Sequence, residues 1–205
     1  MKKLAITGGT GFIGSQIVQQ MQAMGYEVVL ISKADINSET NMLKQKLKNA
    51  SLVINLAGAP IIKDWTEPYK KYLYTSRVHT TTNLVYAIDR DSTKLFISAS
   101  AVGIYGNNGP QTENNFTYAD DFLGKICRDW ETEALYLSDS VRTIIFRFGV
   151  VLGKWWCLAK NAAFVQAQPR RSDCGWSSGI FMGSYSGCFG CHFLCATTYG
   201  LQRHL

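Results

Sequence analysis

Residues 7 to 14 read Thr-Gly-Gly-Thr-Gly-Phe-Ile-Gly, directly after the strand-like opening Lys2-Lys3-Leu4-Ala5-Ile6 and directly before the helix-like stretch Ser15 to Met24. Glycines at 8, 11 and 14, set between a strand and a helix, form the fingerprint of a βα turn that holds a dinucleotide. Gly8 allows the tight turn, Gly11 lets backbone approach a pyrophosphate with no Cβ in the way, and Gly14 lets the helix pack closely on the strand. Thr7, Gly9, Thr10, Phe12 and Ile13 complete the loop, and the N–H groups and positive dipole end of the helix face the phosphates. The plain alternative is a glycine-rich turn that binds nothing; strand, turn and helix in that order favour the binding reading.

The loop fixes a fold class that the rest of the chain must fit. At 205 residues with 46% hydrophobic content, the chain suffices for one α/β domain with a real core and is too apolar to be disordered. The apolar run after Lys2 and Lys3 is cut short by Thr7 and the glycines, so neither a signal peptide nor a membrane-spanning helix fits, and a cytoplasmic location is expected. The net charge of +6 is spread along the chain rather than clustered, which gives no reason to expect a nucleic-acid partner. A small-molecule substrate, no membrane partner and no metal are expected; oligomeric state is left open.

Up to Gly153 strand-like and helix-like segments alternate, as in a doubly wound parallel sheet of Rossmann type. Strands are expected at 27–32, 51–56, 94–98 and 141–146, with helices at 41–49, about 68–89 and 122–137. The strands are continuous apolar runs, as a parallel sheet covered on both faces requires.

After Lys154 the character changes. Residues 155–205 hold Trp155, Trp156 and Trp176, five of the six cysteines and a single acidic residue, Asp173, with no amphipathic period. Cys188-Phe189-Gly190-Cys191-His192 matches a haem c attachment pattern, and with Cys195 it imitates zinc ligands, but no second ligand pair with metal spacing supports either.

The first 154 residues resemble the extended short-chain dehydrogenase/reductases, and within them the atypical subfamily of epimerase-family, sugar-nucleotide-epimerase-like proteins. The likeness rests on TGGTGFIG (7–14), VINLAGAPI (53–61) followed by Trp65, SRVHTT (76–81), ISASAVGIYG (97–106), Thr112-Glu113, DFLGKICRDWE (121–131) and RFGVVLGK (147–154). The resemblance implies a Rossmann domain with a nicotinamide dinucleotide cofactor and a C-terminal substrate-binding part. It further implies that Asn55, Leu56, Ala57 and Gly58 pass beside the cofactor, although a strand end in need of small residues would read the same.

The residue just past the second strand selects the cofactor, an acid binding the ribose 2′-OH of NAD and a cation accommodating the 2′-phosphate of NADP. Here stand Ser32 and Lys33, which favours NADP, while Asp35 keeps NAD open. In the superfamily a Ser or Thr polarises the substrate and the Tyr of Y-x-x-x-K is the general acid/base. Ser100 matches the hydroxyl, with Ser98 as a near alternative, but the Tyr and Lys positions fall near Leu123 and Cys127. Tyr105 is the candidate phenol from the other side of the site, unless it only packs.

The family would continue with a G-G-A-L-type block and an S-W-[VI]-H motif. Trp155-Trp156-Cys157 read one nucleotide later begins Gly-Gly, and Met182-Gly183 must contain a tryptophan codon. Residues 1–154 are therefore expected to be an NAD(P)-binding domain, incomplete at its C-terminal end. Residues 155–205 are expected to be an out-of-frame tail in place of the substrate-binding part, leaving strand 141–146 with an open edge. The functional expectation is an epimerase or oxidoreductase acting on a small or nucleotide-linked substrate, inactive as it stands. The alternatives are a non-catalytic dinucleotide-binding sensor or interaction protein, and a damaged product without stable function.

Overall fold

A computed structural model describes residues 2–152 and, in addition, two three-residue strands, Met182–Ser184 and Ala196–Thr198. In chain order the elements are β1 (Lys3–Thr7), α1 (Phe12–Ala23), β2 (Glu27–Ile31), α2 (Lys33–Ile36), α3 (Thr40–Leu47) and β3 (Ala50–Asn55). There follow α4 (Glu67–Thr75), α5 (Val78–Ala87), β4 (Leu95–Ala101), a short 3-10 turn (Val102–Ile104), α6 (Phe122–Leu135), β5 (Arg142–Phe148) and β6 (Val150–Leu152). The two further strands are β7 (Met182–Ser184) and β8 (Ala196–Thr198).

The main sheet runs β2-β1-β3-β4-β5, all parallel, with β8 beyond β5. This is the doubly wound order with its switch point between β1 and β3, where the connections depart in opposite directions and leave a crevice at the strands' carboxyl ends. Successive residues of each strand point to opposite faces, and both faces are covered. Leu4 and Ile6 of β1 and Ile54 of β3 pack against Ile17, Val18 and Met21 of α1. Ala5, Val53, Phe96 and Ile145 point the other way into the larger core, which takes in Leu43 and Leu47 of α3, Leu84 and Val85 of α5, and Ala134 of α6. Each large aliphatic side chain so buried contributes about 1.5–3 kcal/mol.

Local chemistry sets several boundaries. Thr66 caps α4 by accepting from Tyr69 N, with Pro68 in the first turn, and Asp121 caps α6 by accepting from Gly124 N at 2.7 Å. The long helix expected over 68–89 is divided at Ser76 and Arg77. Ser76 Oγ accepts from Ala59 N at 3.0 Å and the Arg77 guanidinium donates to Ala59 O at 2.9 Å. Bonds to the loop after β3 thus replace continuation of the helix, a tertiary cause that no periodicity reveals.

The edge of strand 141–146, expected to stand open, is paired: β8 lies antiparallel to it with Ile144 opposite Thr198 and Phe146 opposite Ala196. An edge strand offers unpaired N–H and C=O groups to any extended segment that reaches it, whatever the side chains. β6 pairs in parallel with β7 as a separate ribbon. The remaining expectations for 155–205, the cysteine and histidine decoys included, lie outside the described residues.

Candidate functional site at the carboxyl ends of the strands

The glycine loop has the geometry its sequence implies. Gly8 has φ +66°, and a Cβ there would lie 2.6 Å from Leu56 O, so the end of β3 presses directly on the turn. A Cβ on Gly14 would lie 2.2 Å from Gly8 O, which fixes the close seat of α1 on β1. At Gly11 the only atom of the described residues within 4 Å of a built Cβ is Gly8 O, at 3.2 Å, so among them its outer side is open. Thr10, Gly11 and Phe12 are exposed, Gly9 is buried and Ile13 half-buried. No side chain caps α1 and its first turn carries no acid. The N-terminal amides and dipole of a 12-residue helix therefore meet an open glycine surface, the arrangement that suits a pyrophosphate.

Thr7 and Asn55 have side chains turned inward, 1% and 0% exposed. Thr7 Oγ1 donates to Asn55 Oδ1 at 2.7 Å and accepts from Leu56 N at 3.2 Å, while Asn55 Nδ2 donates to Thr81 Oγ1 at 2.7 Å. Ala57 N donates to Asn55 Oδ1 at 3.4 Å. These two side chains tie β1, β3 and α5 together and shape the loop from below. Leu56 and Ala57, both half-buried, bring their backbone against Gly8, and Gly58 is exposed.

At the end of β2, Ser32 caps α2 in a reciprocal box: its Oγ accepts from Asp35 N at 3.2 Å, and Asp35 Oδ2 accepts from Ser32 N at 2.8 Å and Ser32 Oγ at 2.7 Å. Lys46 of α3 completes the set, 2.6 Å from Asp35 Oδ1. The bonds from Lys46 and Ser32 hold the Asp35 carboxyl at about 2, below the usual carboxylate range. Asp35 is thus committed to its own helix and to Lys46. Lys33, exposed beside it, has its ammonium 4.7 Å from the Tyr72 ring centroid.

Ser100 and Tyr105 belong to one buried polar network. Ser100 Oγ donates to Glu131 Oε1 at 2.5 Å. Arg147 forks onto the same carboxylate, Nε to Oε1 and Nη2 to Oε2, both at 2.8 Å, and its Nη1 donates to the Tyr105 hydroxyl at 3.0 Å. Arg147 and Glu131 are 1% and 5% exposed. Burial alone would lower the guanidinium's pKa, but its bonds to Glu131 and Tyr105 outweigh that and hold it more firmly protonated than usual. Ser98, the alternative hydroxyl, is fully buried and donates to Ala99 O.

Sequence reasoning did not single out Glu131 or Arg147. A signal was present: an arginine between Phe146 and Phe148 in β5, and a glutamate on the buried stripe Ile126, Cys127, Trp130, Glu131, Ala134 of α6, because buried charges occur in pairs. At the positions of the absent Tyr and Lys, α6 carries Leu123 and Cys127. The Cys127 thiol is pushed up to about 11, chiefly by burial, and takes no part in acid/base work near neutrality. Among the described residues no group of His, Cys, Asp or Glu could hold a metal ion, and no helix is long and apolar enough to cross a membrane.

A doubly wound sheet with an open glycine turn at its switch point defines a Rossmann-type nucleotide-binding domain of the short-chain dehydrogenase/reductase class. The model of the NAD dependent epimerase/dehydratase family matches residues 4–167. The chain belongs to that family. It is 34% identical over 168 residues to the epimerase family protein YfhF of Bacillus subtilis, covering 74% of this chain and 55% of that protein. It is 32% identical over 171 residues to the chloroplastic SDR39U1 homolog of Arabidopsis thaliana, covering 74% and 49%. A crystal structure of human epimerase family protein SDR39U1 (isoform 2) with NADPH superposes with a TM-score of 0.66 at 27% identity, covering 79% of this chain and 59% of that one. The chain spans about half the length of the curated relatives it matches.

Proposed function

We propose that residues 1–154 bind NADP(H) across the glycine loop and form the cofactor half of an epimerase or oxidoreductase acting on a small or nucleotide-linked substrate. The observation that carries this reading is the open outer face at Gly11 beside the uncapped N-terminus of α1. The choice of NADP over NAD rests on the pair at the end of β2: Asp35 is tied to Ser32 and Lys46, leaving the exposed Lys33 to meet a 2′-phosphate. NADPH in the human relative accords with it. A bound nicotinamide would supply hydride transfer.

Ser100 and Tyr105 are the chain's own polar groups for that chemistry. The single Ser100 proton goes to Glu131 within the buried network, so Ser100 bears on that chemistry through the carboxylate. Residues 155–205 stand where the substrate side would come from, and with that side replaced the chain turns over little. Isothermal titration tests cofactor binding. NADPH should bind more tightly than NADH, and Gly11→Val should abolish both by placing a side chain against the pyrophosphate. Tighter NADH binding would reject the Lys33 assignment, and binding of neither would reject the cofactor reading. Sustained NADPH oxidation with sugar-nucleotide or carbonyl substrates, lost on Ser100→Ala, would reject inactivity.

Leu123 and Cys127 at the Tyr and Lys positions favour a second reading, a dinucleotide-binding sensor or interaction protein without turnover. It would be supported if NADPH binding altered association with another protein while the complete, in-frame protein turned nothing over.

A further inference from the structure

Arg147 makes three directed contacts with two different kinds of group. Its Nε and Nη2 edge lies on the Glu131 carboxylate and its Nη1 points to the Tyr105 oxygen, so carboxylate and phenol occupy different edges of one planar cation. The guanidinium carbon also lies 5.0 Å from the Tyr105 ring centroid and 4.5 Å from that of Phe116, which meets Tyr105 edge to face at 5.1 Å. Ser100 also donates to Glu131 Oε1, so the carboxylate that orients the cation is itself held in place. The phenol oxygen is therefore presented with a permanent, desolvated positive charge at hydrogen-bond distance.

We propose that Arg147 is the activating cation for Tyr105, standing in for the lysine that α6 lacks at the Cys127 position, and that Glu131 and Ser100 are its positioning residues. The inference rests on the reading of Tyr105 as the acid/base group. In the reducing direction a substrate carbonyl carbon receives hydride from a reduced nicotinamide dinucleotide. Its oxygen takes the proton as the Tyr105 O–H bond breaks, and the electron pair stays on the phenol oxygen opposite Arg147 Nη1. Oxidation runs the same transfer backward. A charge-assisted donor strengthens as its acceptor becomes anionic, so Arg147 acts where the charge develops. Among the described residues, the other ionisable groups about Tyr105 are Glu131, beyond the guanidinium on α6, and Tyr118, bridged to Tyr105 and stacked under Arg128 at 5.2 Å. Arg147 is the described cation bonded to the Tyr105 oxygen.

The test is a titration of the tyrosines in the cofactor-free, full-length chain carrying 13C at Cζ, with Tyr105→Phe assigning the signal. N-acetyl-tyrosine amide and a short tyrosine-containing peptide, titrated in the same buffer, serve as references. Tyr105 should titrate at least one pH unit below them, a tenfold larger ionisation constant. Arg147→Met should raise its midpoint above theirs, and Arg147→Lys should restore part of the shift. A Tyr105 midpoint at or above the references in the unmodified chain overturns the proposal, even if Arg147→Met fails to fold. Cofactor binding is measured separately: NADPH bound with an ordinary Tyr105 titration rejects the role of Arg147 and leaves the cofactor reading standing.

Discussion

Arg147 and Glu131 join β5 to α6 through a fork of two 2.8 Å bonds that solvent barely reaches. Removing either charge strands the other in the interior, so Glu131→Ala should cost about 3–5 kcal/mol in urea unfolding. Lys70 and Glu67 are also 2.8 Å apart but exposed on α4, and Glu67→Ala should cost a small fraction of that. Equal losses at the two sites would show that the buried fork is not what secures α6 to β5.

The capping box gives a pH signature. Asp35 has its pKa lowered from 3.8 to about 2 by Lys46 and Ser32, so its contribution is fully present above the unfolded value and is lost as pH falls through the folded one. The stability gap between the unmodified chain and Asp35→Asn should be constant above about pH 4 and close toward pH 2. Denaturant melts across that range would check it, and a gap that widened on acidification would contradict the assignment.

Lys33→Ala should weaken NADPH binding roughly ten- to a hundredfold and leave NADH nearly unchanged, because a hydrogen bond to a charged group is worth about 1.5–3 kcal/mol. Equal effects on both cofactors in isothermal titration would place Lys33 away from the 2′-phosphate.

Gly14→Ala would bring a methyl carbon to 2.2 Å from Gly8 O and 2.8 Å from Gly9 Cα. Backbone cannot move aside as a flexible side chain does, so the variant should lose roughly 1–3 kcal/mol or more and bind NADPH poorly. Unchanged thermal unfolding would mean that α1 is not seated on β1 as closely as described.

The proposed frame change is read directly from DNA. Sequencing codon 154 onward should reveal, one nucleotide over, a segment that opens Gly-Gly and contains Ser-Trp-Val-His or a close variant. A stop codon before that tryptophan would end the proposal, and residues 155–205 would need an account of their own.

Much of the fold was legible because its causes are local. The glycine spacing at 8, 11 and 14 can serve only a turn with a left-handed φ and two close approaches, and apolar runs such as Ser51 to Leu56 suit strands buried on both faces. Helix α2, with four residues, is too short for any period, and its Ser32/Asp35 box emerged only in the structure, since the sequence offered both residues as cofactor selectors. What tertiary structure alone decided was the partnership of residues far apart in sequence. It divided α4 from α5 through Ala59, took Thr7 and Asn55 inward, bound Asp35 to Lys46, and gathered Ser100 and Tyr105 onto the Glu131–Arg147 pair. The physical reason is that a buried charge or hydroxyl is stable only beside its complement. Which complement it meets depends on the order in which the strands lie, and that order is a property of the packed sheet rather than of any segment.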